Sequence, residues 1–220
     1  MRKLWPGLLV LAAAVAFSLW AAPQLPERVV THWGVSGEPD GWSSKRMLLV
    51  FMPLIGVGMA LLMAVLPKID PRRASWAQHG STYWTLVNMV VAFFGLMHFL
   101  MVGYNIGWPI DITTVVVSAV GVLFAAIGNL MTRMRPNWFM GIRTPWTLSD
   151  DTVWRKTHRV GGYLFTAAGV IMVLAALLKL PGLVFIVIGV AGVSALVPIG
   201  YSYLLWRQAQ ERATDPSPRT

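Results

Sequence analysis

The sequence predicts an all-α polytopic membrane protein with six transmembrane helices, both termini cytoplasmic, a small extracytoplasmic hairpin and a short cytoplasmic interfacial helix. Three observations predict it: 56% of the 220 residues are of the AVILMFWYC set, only 12% are charged, and the apolar residues gather into six long runs. A soluble domain carries about 25% charged residues, so this chain is too poor in charge to cover a water-exposed surface. The mean hydropathy of +0.61 points the same way, and so apolar a chain gains too much by burial to remain disordered. The absence of cysteine excludes disulfides, thiolate metal sites and a Cys nucleophile. A formal charge of +9 would suit nucleic acid only if the basic residues formed one face. They fall between the apolar runs instead, and direct nucleic-acid binding is not expected.

A helix needs about 20 mostly apolar residues to cross the hydrocarbon core, where no water satisfies the backbone. The runs 4–22, 47–66, 82–103, 112–132, 160–178 and 183–206 meet that need. Loop Lys and Arg resist translocation and set orientation. With the N-terminus inside, only Arg28, Lys45, Arg46 and Lys179 of the 18 Lys and Arg fall outside, so both termini are assigned to the cytoplasm. The basic balance then reflects topology and an anionic membrane surface.

The first run follows Arg2 and Lys3 like a signal peptide but ends Ser18-Leu19-Trp20-Ala21-Ala22-Pro23. Bulky Leu19 or Trp20 would stand where a cleavage site wants a small residue, so an uncleaved anchor is expected. Between the first two runs, Val29-Val30-Thr31 favours extended backbone, and Gly37, Pro39, Asp40 and Gly41 supply turn chemistry. A hairpin is expected there, with Trp33 and Trp42 at the membrane interface. His32, Glu38 and Asp40 are of metal-ligating types, but their spacing fits no zinc or calcium loop. No metal or other cofactor is expected.

The exits 66–72 and 131–137 share a pattern of basic residue, aliphatic residue, any residue and proline. Either two helix ends have converged, since proline stops a helix and basic residues meet headgroups, or two hairpins form a parallel repeat. Asn88, His98 and Asn129 are expected to face the bundle interior, and Pro53 and Pro198 to kink their helices. The chain accordingly divides into a two-span region 1–80 with the extracytoplasmic loop 23–45, a four-span region 81–206 with the cytoplasmic loop 133–159, and a disordered cytoplasmic tail 207–220.

The loop 133–159 is dense in aromatics and arginines. Ser149 or Asp150 can cap a helix without a full capping box, which predicts an interfacial helix from about Asp150 with Val153, Trp154, His158 and Gly161 along one face. The string Asn137, Gly141, Arg143, Thr144, Pro145, Trp146, Thr147 is made of turn formers, hydrogen-bonding groups and rigid rings. Such a segment is expected to fold back onto the bundle, with Asn129, Asn137 or Arg143 satisfying backbone groups.

Here the chain resembles the SdpI-type immunity proteins of bacterial membranes. The resemblance rests on Gly128-Asn129, on the string from Arg135-Pro136-Asn137 through Gly141-Ile142-Arg143-Thr144-Pro145-Trp146-Thr147-Leu148, on Trp154 to Arg159, and on Gly161-Gly162. The outer segment, with Thr31-His32-Trp33 and Gly37 to Trp42, looks like the uncharacterised N-terminal domain of the longer members. The resemblance implies a multi-pass protein of the bacterial cytoplasmic membrane that protects against a secreted, membrane-active peptide toxin, sometimes with a cytoplasmic repressor held at the membrane. The partners implied are membrane lipids, a peptide toxin or other amphiphile, and that repressor.

The leading expectation is thus a non-enzymatic immunity or sensor protein. Its ligand or switch site would comprise Asn129, Asn137, Gly141, Arg143, Thr144, Trp146, Thr147, Trp154, Arg155 and His158, and its extracytoplasmic recognition site His32, Trp33, Glu38, Asp40 and Trp42. The alternative is a binder or transporter of a lipid or other anionic amphiphile, with Arg143, Asn137 and Asn129 on the headgroup, because a guanidinium fork suits phosphate. An enzyme ranks third. The bases His32, His98 and His158 and the acids Glu38, Asp40 and Asp111 are split across the membrane, and no nucleophile motif accompanies them.

Overall fold

The computed structural model describes residues 3–72 and 76–214, with the backbone alone for 76–79. Arg2, Arg73, Arg219 and positions 215–220 of the expected tail lie outside the described residues. Among the described residues, six helices are long and apolar enough to cross a membrane. Their outward faces suit lipid rather than water: Phe185 is 77% exposed, Leu196 68% and Leu54 63%.

Helix α1 (Trp5–Ala21) starts at a Pro in its first turn, and its N-cap, Leu4, supplies no side-chain hydrogen bond. The first N–H groups of a helix need outside acceptors, and α3 (Trp76–Asn105) provides one. Asn88 Oδ1 accepts from the Gly7 N–H at 2.8 Å, and its Nδ2 donates to the carbonyls of Lys3 at 2.8 Å and Trp84 at 2.7 Å. Asn88 therefore sits level with the start of α1. The two helices run parallel, with Gly7 against Asn88, Leu11 against Gly95, and Phe17 against Phe99. Asn88→Ala should cost about 1 kcal/mol, the usual worth of a cap, seen as faster hydrogen exchange in the first turn of α1. Unchanged exchange there would remove Asn88 from the capping role.

A short 3-10 turn (Ala22–Gln24) leads into the expected hairpin, β1 (Arg28–Trp33) antiparallel to β2 (Pro39–Ser44), with irregular register between Val30 and Trp33. Gly37 takes φ 84° in the connecting turn, a conformation open to Gly at little cost. The hairpin is tied to α3 through Asn105, whose Oδ1 accepts from the Val30 N–H at 2.7 Å while its Nδ2 donates to the Val30 carbonyl at 2.9 Å. Ser44 caps α2 (Lys45–Ile69), which runs back past α1 and α3 and continues through Pro53 and Pro67.

Asp111 caps α4 (Ile112–Met131), accepting from the Thr114 N–H at 3.1 Å. The Lys179 ammonium bonded to Asp111, helped by Thr114, holds this carboxyl below its ordinary value. Helix α4 packs antiparallel on α6 (Asp151–Leu177) with glycine against glycine. A Cβ on Gly169 would lie 2.3 Å from the Gly121 carbonyl oxygen, and one on Gly128 2.5 Å from the Thr166 nitrogen. These glycines permit close helix packing within the one chain. Helix α7 (Leu183–Thr214) returns along α6 and runs through Pro198.

The interfacial helix expected from about Asp150 is the first turns of α6, capped by Asp150 and running on into the fifth span as expected. Other features differ from expectation. The short separate helix is α5 (Pro145–Ser149), which expectation missed. The expected disordered stretch from 207 is helical through Thr214. Asn129 is exposed, not interior: Gly128 meets α6, and the next residue on a helix points elsewhere. His98 does face the interior, fully buried, and among the described residues neither ring nitrogen has a hydrogen-bond partner.

Candidate functional site

Loop 132–150 does not hang free; it is folded against the ends of α2, α6 and α7. Asn137, fully buried, is its hub. Its Oδ1 accepts from the N–H groups of Phe139 at 2.9 Å and Met140 at 2.6 Å, and its Nδ2 donates to the carbonyls of Arg135 at 2.9 Å and Met140 at 3.2 Å. One amide thus satisfies four backbone groups that the turn would otherwise strand.

Beyond it, Gly141 takes φ 95° against the His158 ring, and a Cβ there would lie 2.3 Å from His158 Nε2. The Ile142 N–H donates to that same Nε2 at 3.0 Å, and His158 Nδ1 contacts the Trp154 carbonyl at 2.9 Å. An acceptor at Nε2 and a carbonyl at Nδ1 fix the ring as the neutral tautomer with its proton on Nδ1. Trp154, one turn earlier on α6, stacks on the imidazole at 4.0 Å between centroids and donates through Nε1 to the Met134 carbonyl at 3.0 Å. Both side chains are buried. Together they grip the loop at its start and middle.

Thr144 caps α5 in a capping box closed by Thr147, a hydroxyl doing what Glu or Gln does in the usual sequence. Thr147 Oγ1 also donates to the Ile142 carbonyl at 2.8 Å, and the Thr144 hydroxyl shares a 3.0 Å hydrogen bond with Ser202 on α7. Trp146 rests on Tyr203 with 5.1 Å between ring centroids.

The floor of the loop comes from the exit of α2. Buried Asp70 accepts from the Trp138 N–H at 3.1 Å through Oδ2 and from the Arg72 N–H at 2.7 Å through Oδ1. Arg72 donates to the Leu148 carbonyl at 2.9 Å and pairs with Asp151 at 3.0 Å. Arg143 Nη1 donates to the Trp138 carbonyl at 2.8 Å, so Asp70 and Arg143 hold opposite sides of the Trp138 residue. Neither Asp70 nor Ser202 was among the expected site residues. A lone acid within an otherwise basic helix exit was the available signal for Asp70; Ser202 offered none.

The expected site therefore divides in two. Asn137, Thr144, Thr147, Trp154 and His158 are buried and spent on holding the loop, whereas Arg143 and Arg155 are exposed, beside the exposed Arg135, Trp138, Lys156 and Arg159. Arg155 Nη2 donates to Thr152 at 3.0 Å. Arg143, Asn137 and Asn129 do not converge on a headgroup site, because the Asn137 amide is saturated and Asn129 is exposed on α4.

The second expected group lies at the other end of the bundle, against the last turn of α3 and the first turns of α4 and α7. His32 Nδ1 meets Asp40 Oδ1 at 2.5 Å, both exposed. Trp33 sets its ring edge-on to Tyr104 at 5.0 Å, Trp42 lies 5.5 Å beneath the Arg28 guanidinium, and Glu38 is exposed. Among the described residues no three His, Asp or Glu gather as a metal site would require.

Six apolar helices with a pinned, arginine-rimmed loop at one end and a hairpin at the other define a multi-pass helical membrane protein whose polar machinery sits at its two ends. Residues 133–202 match the SdpI/YfhL protein family, and residues 9–57 match a domain of unknown function, DUF1648. The first match runs from the start of the loop to Ser202, the α7 residue that bonds Thr144; the second spans α1, the hairpin and half of α2. Over 172 residues the chain is 22% identical to the immunity protein SdpI of Bacillus subtilis (strain 168), covering 78% of this chain and 80% of that protein. Over 101 residues it is 30% identical to an uncharacterized protein of Archaeoglobus fulgidus, 46% of each chain. No solved structure matches it.

Proposed function

We propose that this chain is a membrane immunity and sensor protein, not an enzyme, that recognises a secreted membrane-active peptide and protects the cell carrying it. Both termini and the loop face the cytoplasm, and the hairpin faces outward. The observation that carries the reading is the relation to an immunity protein over most of both chains, joined to the division of labour in the loop. The buried residues present the exposed Arg143, Arg155 and Trp138 as a fixed cationic and aromatic surface. A surface of that kind suits an acidic patch on a cytoplasmic protein, such as the repressor that the resemblance implies for some members.

The test is survival of a toxin-sensitive bacterium lacking its own immunity gene, challenged with secreted killing peptides, with and without this chain. Arg143→Ala should abolish protection at matched membrane levels while changing thermal stability by no more than about 1 kcal/mol, since the exposed side chain gives up one hydrogen bond. Full protection by Arg143→Ala would take Arg143 out of the mechanism. Failure of the native chain against a peptide whose own immunity protein protects in the same strain would count against the reading for that peptide.

A further inference from the structure

A groove of about 810 Å³ opens between the hairpin and the first turns of α4 and α7. Those two helices each pack chiefly on α6, which leaves the space between their hairpin-side ends to be closed by β1 and the turn after it. The groove has two chemistries. Its wall is aliphatic, with Val116, Val117, Val184 and Val187, and its rim carries Glu38, Asp40 and His32 with no Lys or Arg among the lining residues.

The charges around it sharpen that asymmetry. Three of the four cations at this end have partners within the chain: Arg28 lies over Trp42, Lys45 pairs with Glu27 at 2.7 Å, and Lys179 pairs with Asp111 at 2.9 Å, while Arg46 does not line the groove. Asp40 has His32. Glu38 uses only its backbone carbonyl, which accepts from the Gly34 N–H at 2.9 Å, and among the described residues its carboxylate has no ion pair. Trp33 also lines the groove, with its indole N–H turned into the protein and, among the described residues, without an acceptor.

We infer that this groove is the binding site for a cationic amphipathic peptide, which lays apolar side chains on the valine wall and sets a Lys, Arg or terminal ammonium against Glu38. The volume falls within the range of sites that enclose most of a small ligand or a short stretch of peptide. A lipid acyl chain would fill the wall but leave the carboxylate unanswered, and an anionic headgroup would meet like charge at the rim. The inference rests on the immunity reading for the source of the peptide, but its chemistry comes from the groove.

The test uses the full chain in phosphatidylcholine nanodiscs. The probe is a synthetic leucine–lysine amphipathic peptide of about five helical turns carrying a photoreactive group, with a leucine–glutamate peptide of the same length beside it. The lysine peptide should crosslink saturably to residues 31–40, 112–117 and 183–187. Glu38→Lys should weaken its binding about tenfold, the effect of roughly 1.4 kcal/mol, and should raise crosslinking of the glutamate peptide. Val187→Trp, which fills the wall, should reduce both without changing elution or thermal stability. Crosslinks elsewhere, indifference to both substitutions, or a lipid retained in the groove that the peptide does not displace would each overturn the inference. Protection that survives Glu38→Lys and Val187→Trp would sink the groove alone. Groove binding by a chain that protects against nothing would sink the immunity reading alone.

Discussion

Replacing Gly169 with leucine should separate α4 from α6 and cost the protein its folded state, the largest effect expected of any single substitution in the chain. The new Cβ would stand 2.3 Å from the Gly121 carbonyl oxygen and 2.5 Å from the Ala125 nitrogen. Both are backbone atoms, so no side chain can turn aside, and the helices themselves must move. Ordinary overpacking costs about 1 to 3 kcal/mol; a backbone-to-backbone clash at a helix pair without a hydrophobic driving force should exceed about 3 kcal/mol. Gly189→Leu is the control, because a Cβ there meets nothing within 4 Å. Thermal unfolding in nanodiscs should show a large loss for the first and almost none for the second. Equal behaviour of the two variants would mean that α4 and α6 are not held by close glycine contact.

The second large effect belongs to Gly141→Ala. An L residue at φ 95° is strained by itself, and the added carbon would occupy the space of His158 Nε2. The loop can then keep neither its turn nor the bond from the Ile142 N–H to the imidazole. We expect a cost of at least about 2 kcal/mol, from positive-φ strain together with one stranded buried donor. Trypsin should read it directly by cutting after Arg133 and Arg143, which the native loop holds still. Protection in the survival assay should fall with the loop. Unaltered trypsin resistance would show that Gly141 and His158 are not the latch.

Much of the architecture was legible because the bilayer imposes a length. Runs of about 20 apolar residues are hard to mistake, and turn chemistry around Gly37 to Gly41 marks a hairpin wherever it occurs. Asp150 could be recognised as a cap because its partners, the N–H groups of Thr152 and Val153, are its own neighbours in sequence. What could not be read was which side of a residue faces what. Asn137 looked like a ligand-binding amide, yet its hydrogen bonds are all spent within three residues of itself. Asn129 and Gly128 are adjacent, and only packing shows that the glycine takes the interior position. Asp70 and Trp138 are 68 positions apart, and neither residue announces the other. The α5 capping box escaped notice because Thr147 replaces the glutamate usually sought there.

The attachment of the hairpin has a consequence for how such proteins can change. Asn105 holds Val30 by its N–H and its carbonyl, groups that every residue except proline supplies. The clamp is thus blind to side-chain identity, and mutation can rewrite the outer strand, from Thr31 to Trp42, without loosening its fastening to α3. On the proposed function, a lineage facing a changing set of killing peptides could renew the hairpin side of its groove by drift there while the helices beneath stay as they are.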